Sequence, residues 1–322
     1  MEKLTKVVII FIIICFSIIS ACNEKGNKRF AEKEKLEGVK PDLKATSYGK
    51  MPKLKFVYDT VILVKDVYNK NYTVNLINAK DFSHITTTGK VGKGPNEINR
   101  SGNLIFNKQS KNSFLYLDLG KYEFFRFKME NILEEKQKYL PESSNFKFKK
   151  GYMPAYDMKM FNDSIITFNG NTRSNILYFM NSDGKIVKKI GEKFYEKPDN
   201  MPEIAYAMAT KTKFAIKPDK SKIAIGYGLF NKLVCLDTSG KKLFEFQGKT
   251  FNNNFKVKGA VITHEGLKTG YRKVIATDNY IFALYNGKIQ WYRKDNKSYH
   301  NYSNTIQVFN WQGKPVMKIN LD

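Results

Sequence analysis

"TTGKVGKGPNEIN", Thr87 to Asn99, places Gly89, Gly92 and Gly94 within six residues and follows them with Pro95-Asn96-Glu97. Its reading decides between a nucleotide-binding α/β fold and a repeated β-sheet. A phosphate loop of the Walker type needs Gly-Lys followed by Ser or Thr, opening a helix whose N–H groups face the phosphates. Here Gly92-Lys93 runs into Gly94 and Pro95, and no amphipathic helix follows. The glycine spacing also misses the G-x-G-x-x-G dinucleotide pattern. The stretch lies between two strand-like runs, "DFSHITTTG" and "GNLIFN", and reads as a crossover from one sheet to the next. Gly92 and Gly94 turn the chain, Pro95 stiffens it, and Glu97 accepts hydrogen bonds from loop N–H groups.

Working outward, the chain beyond residue 50 is dense in Phe, Tyr, Ile and Val, in short runs broken by Asn, Asp and Gly. That is all-β patterning. Five runs are alike: "YDTVILVKD", "KNSFLYLDL", "NDSIITFNG", "DKSKIAIGYG" and "DNYIFALYNG". Aligned on Leu63, Leu115, Ile166, Ala224 and Phe282, they are spaced by 52, 51, 58 and 58 residues. Such a period is the mark of a repeat architecture, with about 40–50 residues for four strands and their turns. After them come strand–turn–strand elements, "YFMNSDGKIVKKIG", "LVCLDTSGKKLFEF" and "VFNWQGKPVMKINL", with Gly184, Gly240 and Gly313 at the turns. A shorter version, "LYLDLGKYEFFRF", carries Gly120. These read as the outer hairpins of successive blades, where glycine supplies the positive φ.

The pattern predicts an all-β chain forming a β-propeller of four-stranded blades. A sandwich would lack the period, and a parallel α/β fold would need helices between strands. Only Glu130–Leu140 reads as a helix. Five repeats are visible. A sixth would centre about 55 residues beyond Phe282, past Asp322, so the last blade of a six-bladed type is expected to be incomplete or absent. The polar insert Arg293–Asn304 lies inside the fifth repeat and is not a further blade.

The N-terminus has its own order: Lys3 and Lys6, the 13-residue apolar run Val7–Ile19, then Ser20-Ala21-Cys22. This is the layout of a secretory signal peptide, too short to span a bilayer as a helix. The "IISAC" ending resembles a bacterial lipobox, which makes Cys22 the acylated new N-terminus. Residues 1–21 are thus assigned to the signal, 22–44 to a charged, flexible tether and 45–322 to the propeller. Acyl chains at about 0.8 kcal/mol per buried CH₂ anchor the chain. Cys15 leaves with the signal, so Cys235 is the one thiol of the mature chain and no internal disulfide forms.

The formal charge is +25, from 55 Lys and Arg against 30 Asp and Glu. Only six of the basic residues are Arg, the residue that base and phosphate forks favour, and the lysines are scattered between apolar positions. Nucleic acid is therefore not expected as a partner. Anionic envelope surfaces or acidic glycans suit the charge better.

"GKVGKGPNEI" after a strand, the lipobox, "YRKVIATDNYIFALYNGK" and the closing "IQVFNWQGKPVMKINLD" together resemble the TolB-like, NHL-related six-bladed β-propeller lipoproteins of Gram-negative envelopes. The resemblance covers residues 45–322, and Gly92–Glu97 and Asn310–Pro315 are its more specific parts. It implies an envelope-anchored binding scaffold.

His84, His264 and His300 have no second His or Cys at metal-ligand spacing, and neither a Ser/His/Asp set nor a calcium loop is spelled out. No cofactor or metal is expected, and no catalytic residue is assigned. The alternative is a metal-assisted hydrolase or lyase using channel carboxylates, with Asp157, Glu203 and Asp278 as candidates. The favoured site is the mouth of the central channel. There the crossovers supply Arg100, Tyr156 with Asp157, Glu203 with Tyr206, and Tyr271 with Arg272. Tyrosine rings beside an arginine suit stacking on a sugar or peptide and pairing with an anion. The expected protein is a monomer with a protein, peptide or glycan ligand. It sits at a bacterial outer membrane, facing the periplasm or the surface.

Metabolic labelling with a fatty-acid analogue checks the anchor: wild type takes up label and Cys22→Ala does not. Equal labelling of both would overturn the assignment.

Overall fold

In the computed structural model the described residues are 30, 32–36, 53–58, 60–66, 68–106, 112–149, 151, 155–170, 175–192, 195–249 and 254–321. The signal segment, Cys22 and most of the tether lie outside them. Among the described residues five sheets of four or five strands follow one another, the first four built in chain order from the inner strand outward. After β1 (Glu32–Leu36), blade I is β2 (Lys53–Tyr58), β3 (Val61–Lys65), β4 (Tyr72–Asn78) and β5 (His84–Lys90). Blade II is β6 (Ser101–Phe106), β7 (Ser113–Asp118), β8 (Glu123–Lys128) and β9 (Glu142–Lys147). Blade III is β10 (Ala155–Asn162), β11 (Ile165–Gly170), β12 (Asn175–Asn181) and β13 (Ile186–Glu192). Blade IV is β14 (Thr212–Ile216), β15 (Lys222–Tyr227), β16 (Lys232–Asp237) and β17 (Lys242–Gln247).

A two-stranded ribbon, β18 (Val257–Lys258) with β19 (Val261–Ile262), precedes blade V. Blade V holds β20 (Tyr271–Ala276) and β21 (Tyr280–Tyr285), then a side hairpin of β22 (Trp291–Lys294) and β23 (Lys297–His300), then β24 (Thr305–Asn310) and β25 (Pro315–Leu321). The aligned residues Leu63, Leu115, Ile166, Ala224 and Phe282 all fall on the second strand of their blades.

The middle strands explain why the blades stack. "SFLYLD" of β7 is buried at every position, whereas "IVKKIGE" of β13 is mostly exposed. A sheet apolar on both faces must be covered on both. Four cores do this between successive blades. Leu63, Leu76, Phe114 and Phe127 fill the space between blades I and II, with Phe114 and Phe127 stacked at 4.8 Å. Leu117, Phe124 and Phe168 join II to III, and Leu177, Phe214 and Ile225 join III to IV. Cys235, Phe246, Tyr271, Phe309 and Trp311 join IV to V. Burial pushes the Cys235 thiol up to about 12, as befits a small core residue and not a nucleophile. At the last interface the sheets come so close that a Cβ on Gly226 would lie 2.8 Å from Tyr271 Cβ.

Several sequence expectations change. The stretch read as a flexible tether contains β1, which pairs in parallel with β25 from Glu32↔Met317 to Leu36↔Leu321. Phe30 just before it packs its ring 5.4 Å from Phe309 and 6.0 Å from Phe246. The N-terminal segment thus takes the outermost place on blade V, and the chain passes from there to the inner strand of blade I. The alternating "EKEKL" suits such an edge.

The hairpin with Gly120 joins the second and third strands of blade II, not the outer pair. Its positive φ sits at Tyr122 (57°). Gly120 is needed because a Cβ there would lie 2.5 Å from Asn99 Nδ2. Gly184, Gly240 and Gly313 do carry positive φ, at 73°, 100° and 82°. The expected helix is shorter, α1 (Met129–Glu135) with a 3₁₀ turn over Lys136–Lys138. A second one, α2 (Glu203–Ala209), stands where a loop was expected.

If β1 belongs to the cooperative unit, Phe30→Ala lowers stability by about 1–3 kcal/mol, the cost of emptying a partly buried aromatic site. A urea midpoint equal to wild type would place β1 outside that unit.

Candidate functional site

Because every blade is threaded the same way, the inner strands β2, β6, β10, β14 and β20 run in one direction around the axis. Their N-terminal ends, and the crossovers that precede them, open on one face. Four of the five begin with an irregularity. Lys55 has no partner between Leu54↔Val64 and Phe56↔Leu63, and Gly102–Asn103 face Leu117 alone. Tyr156 is skipped between Ala155↔Gly170 and Asp157↔Asn169, and Arg272 between Tyr271↔Tyr285 and Lys273↔Leu284. A bulge bends its strand and re-aims the extra residue. Tyr156 and Arg272, both chosen from sequence, therefore occupy equivalent bulges in blades III and V.

The face is held by polar contacts. The Asp118 carboxylate, fully buried, accepts N–H bonds from Asn99 (2.7 Å), Arg100 (3.0 Å), Gly120 (2.7 Å) and Lys121 (3.2 Å). The opening stretch Thr87–Asn99 turns the corner before β6. There Glu97 accepts from the Gly94 N–H at 2.9 Å and pairs with Lys90 Nζ at 2.7 Å. Lys90, as the strongest hydrogen-bond donor, holds the Glu97 carboxyl below the usual range. Lys121 Nζ donates to the carbonyls of Gly94, Pro95 and Glu97. Between blades III and IV, Asn169 Nδ2 donates to the Thr212 carbonyl at 2.6 Å and to Thr212 Oγ1 at 2.8 Å. Two further crossovers form a small cap in which Met201, Ala205, Tyr206, Leu229, Ile262 and Leu267 share a core.

The sequence-chosen residues separate into two groups. Arg100 is exposed in the crossover, and its N–H belongs to the Asp118 network. Asp157 lies in β10 with its carboxylate 3.9 Å from Lys159 Nζ. Arg272 is solvent-exposed, yet burial lowers its pKa. Accessible to water but surrounded by protein, it has the surroundings of a channel wall. Tyr206 and Tyr271 instead belong to the interior. Tyr206 packs in the cap and donates its hydroxyl to the Tyr195 carbonyl at 2.6 Å. Tyr271 has no exposed surface and donates to Gln307 Oε1 at 2.8 Å, so it offers no ring to a ligand. Glu203 heads α2 on the surface, 3.4 Å from Lys197 Nζ.

The three carboxylates considered for a metal are not brought together, since Asp278 lies in the turn at the far end of β20. Among the described residues no three His, Cys, Asp or Glu side chains converge as metal ligands. A cleft of about 480 Å³ lies between the outer parts of blades III and IV. Its Lys232 and Lys242 already meet Glu245, at 2.7 and 3.1 Å.

Comparison with known proteins agrees with this geometry. Residues 33–322 match the family described as TolB-like 6-blade propeller-like. A solved member of the duf4221 family from Bacteroides vulgatus is 11% identical, covers 82% of this chain and 79% of its own, and superposes with a TM-score of 0.51. An exported protein from Bacteroides fragilis is 10% identical, with 89% and 79% covered and a TM-score of 0.49. At such identities the likeness concerns the fold alone. No curated protein matches the sequence.

Asp118→Ala leaves four backbone N–H groups without their acceptor and costs about 1–3 kcal/mol; an unchanged melting temperature would remove the carboxylate from this role. Burial, then Lys211 and Arg272, lower the pKa of His264 from its usual 6.5. The unfolded chain therefore takes up that proton first as pH falls, and stability declines below about pH 6.5. His264→Gln should flatten this decline in melting temperatures measured between pH 7.5 and 5; a slope identical to wild type would contradict it.

Proposed function

The chain belongs to the TolB-like six-blade propeller family, and on that premise we propose that it is a lipid-anchored envelope protein whose propeller binds a ligand at the channel mouth. Arg272 carries the reading: a bulge re-aims it, and it has no hydrogen bond or ion pair among the described residues. A guanidinium held in a crowded space without a partner costs free energy that an anionic ligand group returns. Tyr156 stands at the matching bulge of blade III, and the Asp118, Glu97 and Asn169 contacts keep this face in place. The anchor is Cys22, which puts the propeller at a bacterial outer membrane, in the periplasm or on the surface. Its ligand is a protein, peptide or glycan with an acidic group, and the propeller acts as a scaffold and not as a hydrolase.

A thermal-shift screen of acidic and neutral glycans and peptides tests this reading. Acidic members should raise the melting temperature, and Arg272→Ala should weaken them about tenfold or more without lowering the unliganded melting temperature. Acidic hits that hold Arg272→Ala and Tyr156→Ala as tightly as wild type would place the site elsewhere.

A further inference from the structure

The ribbon of β22 and β23 leaves blade V where β21 ends. Tyr285 there lies opposite Tyr271 at the start of β20, so the ribbon stands on the mouth face. Its root is fixed to the crossover that enters β20. Gly266 N–H donates to the Trp291 carbonyl at 3.1 Å, Thr269 N–H to the Lys288 carbonyl at 3.0 Å, and Asn301 N–H to the Gln290 carbonyl at 2.8 Å. Asp295 and Asn296 turn the chain with φ of 50° and 58°, the left-handed pair that a tight two-residue hairpin needs. Yet β22 is fully buried nowhere and β23 is exposed throughout. Neither the IV–V core nor the cap includes a side chain of the ribbon.

The register divides these side chains between two faces. Tyr292 lies opposite Tyr299 and Lys294 opposite Lys297; the two tyrosine rings stack at 5.4 Å and brace the ribbon from that side. The other face carries Trp291, Arg293, Ser298 and His300, continued by Tyr302. Here the Arg293 guanidinium lies 5.5 Å over the Trp291 ring, which steadies it. Arg293 makes no hydrogen bond or ion pair among the described residues. The His300 and Tyr302 rings are nearly parallel, 25° apart at 6.4 Å, and Tyr302 is 81% exposed. From Trp291 to Tyr302 there is no Ala, Val, Leu, Ile or Met. A stable protein interface needs about 800 Å² from each partner. Four residues at about 3.4 Å each give a face only about 14 Å long, the size of a short oligosaccharide.

We propose that this face of the ribbon is a binding site for an acidic oligosaccharide bearing carboxylates. The His300 and Tyr302 rings stack on the apolar faces of sugar rings, and the planar fork of Arg293 takes a carboxylate. Arg293, Lys294 and Lys297, against Asp295 alone, give the tip a positive charge that draws an acidic chain. The ribbon uses none of the channel-mouth residues, so this site is additional to the one proposed there.

The chain has two tryptophans, Trp291 and the buried Trp311, so a ligand-induced change in tryptophan emission reports the ribbon. The full chain, purified in detergent at low ionic strength, is titrated with trigalacturonate. Neutral maltotriose and the acidic peptide triglutamate serve as controls. Trigalacturonate should change the emission and bind about tenfold or more tighter than either control, weakening as sodium chloride is added. Arg293→Gln and Tyr302→Ala should each weaken it about tenfold while the unliganded melting temperature stays level, because both side chains stand outside the cores. Arg272→Ala should bind it like wild type. No response to trigalacturonate, or equal binding of maltotriose, overturns the proposal. Triglutamate bound as tightly would assign the ribbon to a protein partner and overturn it too. If Arg272→Ala loses trigalacturonate and Arg293→Gln does not, the ribbon site falls and the mouth reading stands.

Discussion

A blade that is apolar on both faces cannot be stable alone, and this constraint governs the rest of the molecule. Strands such as β7 and β16 are buried at almost every position, so the blades they belong to must be covered on both faces. Radial stacking is the arrangement that covers both faces while leaving only short sheet edges. The close approach at Gly226 and the ring contacts of Phe114 with Phe127 follow from it. So does β1, which covers the outer edge of blade V with main-chain pairing and seats Phe30 on the IV–V core.

The same constraint releases the inner strands from filling the core. Because the second and third strands of each blade supply most of the apolar contacts, the strands around the axis tolerate Asp157, Lys159, Lys213, Arg272 and Lys273. The apolar packing thus lies outward, while polar and charged positions stand on the inner strands.

On the mouth face, the polar groups differ in whether their partners are already inside the protein. Asp118 and Lys121 bind backbone groups, Glu97 a backbone N–H and Lys90, and Asn169 both the carbonyl and the hydroxyl of Thr212, and all four act as struts. In the cleft between the outer parts of blades III and IV, Lys232 and Lys242 share the Glu245 carboxylate. Arg272 and Lys273 differ, being crowded by protein and without an ion pair among the described residues.

The sequence by itself determined the fold. Its fifty-residue period, the polar turn before each second strand and the glycines at the outer turns are local signals, set within a few residues of the chain, and they place each blade. The crossover at Thr87–Asn99 was legible for the same reason, since wrong glycine spacing and a proline exclude a phosphate loop. α2 had a signal too, Glu203 and the alanines of "EIAYAMA" directly after Pro202, but the dense β pattern around it masked the helix. What only the tertiary structure decided depends on contacts between distant residues. Asp118 binds N–H groups on both sides of it in the chain, β1 finds an edge nearly three hundred residues away, and Tyr206 and Tyr271 turn inward although their neighbours read as loop. The lysines seemed evenly scattered because sequence distance hides radius. Residues about fifty-five positions apart in a repeat of this length become neighbours only when the blades close around a common axis.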